Sequence, residues 1–203
     1  DYYEMPADVK LTSGNNEATV SVKVKAGTLP AGDYILPVAV KEVSRFKISS
    51  SNIVPIVVRV MGNQLSRTGW TATADTENKS DGCTADKMLD GNVNTTWHSQ
   101  WNGGTHALPD NIIIDMKASH SIDHISLRQR AAGEDYRDTK TVEVYTSEDG
   151  NTWTLVGTCG MSKVQEDQIF KVTTSTGRYV KLKVTESYRS PHVSIAEFYA
   201  YGK

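Results

Sequence analysis

Three observations predict an all-β chain. Apolar and polar residues alternate at period two, turn residues punctuate these runs at short intervals, and no stretch carries a convincing helical period. The alternation is cleanest over 179–185, which assigns Val180, Leu182 and Val184 to the core and Lys181 and Lys183 to solvent.

Taken in order, Ala18, Val20, Val22 and Val24 share one face of a predicted strand over 18–25. Gly27, Pro30 and Gly32-Asp33 then break the run. A second strand is predicted over 34–43, where Pro37 implies an edge or a bulge, and a third over 53–61. Three or four strands in the first 62 residues make a sheet with too little buried surface to stand easily alone, so this unit reads as part of a larger sandwich. Gly62-Asn63-Gln64 is read as a linker, with domains at 1–62 and 63–203. Beyond it, strands are expected over 111–116, 122–129, 141–147, 152–157, 168–173, 179–185 and 193–201. Asp149-Gly150 supplies the turn of a hairpin over 142–156, and Trp153 is expected to pack over the sheet.

Composition excludes several function classes. The chain has 203 residues, a net charge of −2 and no apolar run long enough to cross a bilayer, so a soluble protein of one or two domains is expected. Its basic residues are scattered, which argues against a nucleic-acid surface. The polar start Asp1-Tyr2-Tyr3-Glu4 is read as that of a mature or truncated chain. Cys83 and Cys159 could be one disulfide or two inert thiols. There is no Gly-x-Ser-x-Gly elbow, His-Glu-x-x-His or phosphate loop, and Glu166-Asp167 lies in a polar loop without apolar cover, so no enzyme is expected.

The stretch 85–101 organises the rest. Asp90 offers a carboxylate, Gly91 permits a tight turn, and Asn92 and Thr95 follow at short spacing. Hard cations take roughly 6 to 8 oxygen ligands, more than one short turn supplies, so a second segment must contribute. The candidate is Glu197, a lone charge in the apolar run 195–198 that is costly to bury unpaired. The alternative is a solvated, hydrogen-bonded Asp-Gly-Asn turn. Just past it come His98 and Trp101, then Arg130 at a strand end, Asp135 and Tyr136 in the next loop, and Tyr188 and His192 in the last. Aromatic faces beside a guanidinium and carboxylates are the chemistry that sugar hydroxyls and C–H patches need. For His98 and Arg130 a structural role weighs as much, since an Arg near Glu134-Asp135 is often a surface ion pair. Trp97 reads as core, and Trp70 as a loop or strand anchor outside the site.

The segments 89–99, 113–116, 145–153, 177–182 and 195–202, in that order, resemble the F5/8 type C, or discoidin, domain, whose bacterial members include the family 32 carbohydrate-binding modules. The resemblance covers about 65–203 and implies an eight-stranded jelly-roll β-sandwich. More weakly, residues 34–40 resemble the Ig-like β-domain that precedes such modules in Bacteroidetes surface lipoproteins, which implies a partial Ig-like β-sandwich at the start. The family resemblance implies a structural Ca²⁺ held by Asp90, Thr95 and Glu197 and by the carbonyls of Lys87, Asn92 and Ala196. It also implies a sugar site at His98, Trp101, Arg130, Asp135 and Tyr188, with Asp135 standing where Asn is commoner. The function expected is non-catalytic binding of terminal galactose-like sugars by a monomer on an extracytoplasmic surface, tied to a membrane only through a lipid anchor outside this chain. An adhesion or protein-interaction module without sugar binding is the alternative. The polar loop 71–83 speaks against a lipid-headgroup version.

Overall fold

The alternation is realised as strand in both parts of the chain, which divides into two units, Asp1–Met61 and Gly62–Lys203. The computed structural model describes residues 2–10, 14, 17–25, 27, 29–30, 32–44, 47–48, 50–102 and 106–203.

In the first unit, β1 (Tyr3–Glu4) pairs with β2 (Lys23–Val24), and β3 (Gly32–Ala39) pairs with β4 (Ile53–Val60), both antiparallel. The strand expected over 18–25 is therefore paired only at its end, because alternation defines a face and a ladder needs a partner. Pro37 lies opposite Pro55 in a two-stranded ladder, where neither missing N–H interrupts a wider sheet. Val60 is the one buried hydrophobic residue among the described residues of this unit.

The second unit is a β-sandwich built on two long strands. In β8 (Asp110–Arg128), residues 110–115 pair with the later part of β11 (Gln168–Ser187), and residues 122–127 pair with its earlier part. The same two strands thus serve both layers. One layer is completed by β6 (Thr71–Ala74), β9 (Thr139–Ser147) and β10 (Thr154–Gly160), the other by β13 (Glu197–Gly202) and β5 (Asn63–Gln64). Between the two stretches of β8, Lys117 adopts a φ of 66°, a left-handed conformation that costs roughly 1 to 2 kcal/mol for an L-residue. Asp115 offsets this by accepting the Lys117 N–H at 2.8 Å, and its carboxylate is in turn gripped by Arg178 Nε and Nη2, both at 2.8 Å. The core between the layers includes Ile112, Ile114, Leu127, Val144, Val180, Leu182, Val184 and Phe198, the inward residues that period two selects.

Gly62-Asn63-Gln64 is not a free linker. Asn63 and Gln64 form β5 against Gly202 and Tyr201, and the Gly62 N–H donates to the Asp123 carboxylate at 3.1 and 3.2 Å. A Cβ at Gly62 would lie 2.4 Å from the Gly202 Cα, so only glycine fits this approach. The hairpin turn is wider than Asp149-Gly150 implies, running from Ser147 to Thr154, because the Asp149 carboxylate gathers the N–H groups of Asn151 and Thr152 and the Ser147 hydroxyl. Trp153 lies on the outer face with Lys181 Nζ 4.4 Å from its ring centre. Cys83 and Cys159 are both free, and burial pushes the Cys159 thiol up to about 12.

Candidate functional site

A short pairing organises the site. Strand β7 (Trp97–His98) lies antiparallel to β12 (Ser194–Ile195), which sets the loop 85–96 beside Ala196 and Glu197. Trp97 is fully buried and donates its indole N–H to Thr76 O at 2.9 Å, an anchor and not a ligand. The loop begins as a 3₁₀ turn, Ala85–Leu89, and turns at Gly91 with φ 76°. Asp90 Oδ1 accepts the Asn92 N–H at 2.8 Å. The single Thr95 hydroxyl faces Asp90 Oδ1 at 3.0 Å, Asp90 Oδ2 at 2.8 Å and Asn92 O at 2.8 Å. Lys87 and Ala196 stand on these same two segments.

Glu197 is fully buried. Its Oε2 accepts from Arg67 Nη1 at 2.5 Å, while its Oε1 has no hydrogen-bond partner among the described residues. Burial pushes the carboxyl up; Arg67 and, more weakly, the Tyr199 hydroxyl oppose this, and nearby Asp90 adds to it. The donor set therefore fits a hard cation: one buried orphan oxygen, and a loop that turns both Asp90 oxygens and the Asn92 carbonyl toward one Thr95 hydroxyl, with only the Asn92 and Thr95 N–H groups to share among them besides. No cluster of three or more His, Cys, Asp or Glu suited to a metal occurs among the described residues, so neutral oxygens would have to complete the shell. Arg67 is a residue that sequence reasoning did not find; a lone loop Arg carries no signal of a partner 130 positions away.

The second feature is a cleft of about 310 Å³ lined by His98, Trp101, Arg130 and Tyr136, with Arg189, His192, Asp81 and Cys83 completing the wall. A more open hollow in the first unit, lined by Lys41, Glu42, Val43, Ser44 and Ile48, has no aromatic ring among its described lining residues. His98 is buried, and its Nδ1 donates to Ser99 O at 2.6 Å, leaving Nε2 3.7 Å from Asp138 Oδ2. Burial pushes the His98 pKa down, with Arg130 and His192 adding to the effect and Ser99 O and Asp138 opposing it. Asp138 is fully buried and both its oxygens are taken by Arg189, from Nε at 2.8 Å and Nη2 at 3.0 Å. Arg130 and Arg189 stand 5.9 and 5.0 Å from the centre of the same Tyr136 ring. The Arg130 side chain makes no hydrogen bond or ion pair with the described residues beyond its approach to the Tyr136 ring, and Trp101 is 47 % exposed.

The structure thus brings together three of the five residues expected for a ligand, His98, Trp101 and Arg130. Asp135 is exposed in the 3₁₀ turn Glu134–Tyr136, and its neighbour Tyr136 lines the cleft instead. Tyr188 points elsewhere: its hydroxyl donates to Met161 O at 2.8 Å and Lys163 Nζ lies 5.3 Å from its ring centre. Arg189, the next residue, takes the place in the wall. In both loops a one-residue offset reverses which side chain faces the cleft, and irregular loops have no periodicity from which to read it.

The site is therefore a loop-edge cleft on a β-sandwich. Residues 71–198 match the F5/8 type C domain, and the chain belongs to that family. It is 31 % identical over 140 residues to galactose oxidase from Gibberella zeae, covering 68 % of this chain and 20 % of that enzyme, so it spans about a fifth of that relative's length. Among solved structures, the C-terminal domain of a chitobiase from Bacteroides fragilis is 33 % identical with a TM-score of 0.64, covering 70 % of this chain and 98 % of that domain. A family 32 module from Clostridium perfringens, solved with GalNAc-β-1,3-galactose, has the same fold at 24 % identity and a TM-score of 0.62, covering 69 % of this chain and all 100 % of that module.

Proposed function

We propose that the second unit is a non-catalytic carbohydrate-binding module that takes a terminal galactose-like residue in the cleft of His98, Trp101, Arg130 and Tyr136. The observation that carries this reading is Arg130, a guanidinium with no hydrogen-bond or carboxylate partner among the described residues, lining the same cleft as a half-exposed indole. The indole covers an apolar C–H face of the sugar and the guanidinium donates to neighbouring hydroxyl oxygens. His98 and His192 flank them, and the Asp138–Arg189 pair holds the wall in place. That one relative is a galactose oxidase and that a module of the same fold was solved with GalNAc-β-1,3-galactose support the sugar class. Such a glycan ligand and an extracytoplasmic location agree with each other, and no helix among the described residues is long and apolar enough to cross a membrane.

A bound Ca²⁺ would be held by Asp90, Thr95 and Glu197 with the carbonyls of Lys87, Asn92 and Ala196, and would supply a tie between the loop 85–96 and β13. The Ig-like identity of the first unit rests on its sequence resemblance. Its exposed Ile35, Ile53, Val54 and Val57 favour, as a second reading, a protein contact through that unit.

Titration calorimetry with galactosides and N-acetylated hexosamines tests the sugar reading. A shallow site implies a Kd on the order of 0.1 to 1 mM. Arg130→Ala should abolish the heat at nearly unchanged Tm, since a half-buried Arg without an ion pair adds little stability. Absence of heat for the native chain across these sugars would leave the protein-contact reading in its place.

A further inference from the structure

Glu197 is fully buried, and its two oxygens are treated unequally: Arg67 Nη1 holds Oε2 at 2.5 Å, while Oε1 is left without a hydrogen-bond partner. The same nitrogen lies 3.1 Å from Met88 O and 3.0 Å from Phe198 O. One carbonyl comes from the 3₁₀ turn that opens the loop and the other from β13. The guanidinium carbon stands 4.0 Å from the centre of the Tyr199 ring, and a Cβ on Gly91 would lie 3.7 Å from Nη2. Only 13 % of the Arg67 side chain is exposed.

Arg67 therefore performs, with a covalently attached charge, several tasks of a metal ion. It neutralises a buried carboxylate, satisfies carbonyls from two segments, and ties the loop to the last strand. We infer that Arg67 is an internal counter-cation of the Ca²⁺ site proposed above: it lets the second unit fold without the ion and, by its charge, weakens the ion's binding. The inference rests on that cation reading. A carboxylate shared between a fixed guanidinium and a divalent ion attracts the ion less than one facing it alone, because two like charges a few ångströms apart repel in a poorly screened interior. Arg67 takes Oε2 and leaves Oε1, so both cations can be held at once, the metal with reduced affinity.

The test is calorimetric Ca²⁺ titration and thermal melting, with and without chelator, of the full chain and two variants. Arg67→Gln keeps donors and removes the charge. It should melt well below the wild type in chelator, recover most of the difference with Ca²⁺, and bind Ca²⁺ about ten-fold more tightly, the size expected from removing a nearby like charge. Arg67→Lys keeps the charge on a point donor, so its Ca²⁺ affinity should stay at the wild-type level while its melting temperature in chelator falls; this arm stands even where Arg67→Gln does not fold. A merely structural role would lower the melting temperature of Arg67→Gln equally with and without Ca²⁺. That result, equal Ca²⁺ affinity in wild type and Arg67→Gln, or a tightened Arg67→Lys, overturns the inference while leaving the cation reading intact. No Ca²⁺ heat and no Ca²⁺-dependent melting shift in the wild type removes the cation reading and the inference with it.

Discussion

Two buried acids in the second unit are each paired with an arginine, yet the remainders differ. Asp138 gives both oxygens to Arg189, in a bidentate pair that leaves neither oxygen without a donor. Glu197 gives one oxygen to Arg67 and keeps the other idle. At the Asp138 end the unspent donor is the Arg130 guanidinium, which lines the cleft with no hydrogen-bond or ion-pair partner among the described residues, while His98 Nε2 offers a lone pair beside it. At the Glu197 end it is an acceptor, Oε1, beside a loop whose Asp90 oxygens and Asn92 carbonyl face one Thr95 hydroxyl. The residue pair is thus a poor guide to what a site takes. What decides is the balance of donors and acceptors left over, and here one end suits hydroxyl oxygens and the other a cation.

The largest effect is expected where the pair is most buried. Glu197→Gln leaves the Arg67 charge without an anion, a loss of about 3 to 5 kcal/mol, or a fall in Tm on the order of 10 °C. It should also erase any Ca²⁺ response; in the native chain, chelation from an ion at about 100 times its Kd removes about 2.7 kcal/mol. A Glu197→Gln protein that melts like the wild type, or that keeps a chelator-sensitive melt, breaks the contrast.

Asp138→Asn comes next. Arg189 is 39 % exposed and can turn to water, so the expected cost is smaller, about 2 kcal/mol. Glycan affinity should fall about ten-fold because the wall that holds His98 and Arg189 loosens. Equal losses at Asp138 and Glu197 in melting experiments would erase the distinction between the two ends.

Tyr188→Phe sharpens the comparison from outside the cleft. It deletes only the hydroxyl that donates to Met161 O, for about 1 kcal/mol of stability, and calorimetry should find sugar binding unchanged. Lost binding at unchanged stability would return Tyr188 to the site.

The smallest effect is a pH dependence from His98. Burial holds its pKa below the ordinary value of about 6.5, so the unfolded chain takes up the proton first as pH falls. The stability His98 contributes is complete above about pH 6.5 and is lost as pH drops from there through the folded-state pKa. Melts across that range should show a downward slope in the wild type that His98→Gln lacks; a parallel slope in both proteins would assign it to other groups.

Period-two alternation determined by itself that this chain is all-β and which residues face the core, because Val180, Leu182, Val184 and their counterparts on β8 obey a rule local to each strand. The Asp90 to Thr95 turn was legible for the same reason, its polar atoms lying within a few residues of one another. Tertiary structure decided everything that needed two distant segments or an irregular loop. β8 and β11 are single strands crossing between layers, which sequence reading divides in two at the bend. Gly62 to Gln64 became part of the sheet through contacts with Asp123 and β13. Tyr136 and Arg189 replaced Asp135 and Tyr188 in the cleft, because loop side chains aim according to local backbone turns that no period encodes. Arg67 reached Glu197 because the second unit pairs its first strand, β5, with its last, β13, and a hydrogen bond across that closure exists only once both ends are in place.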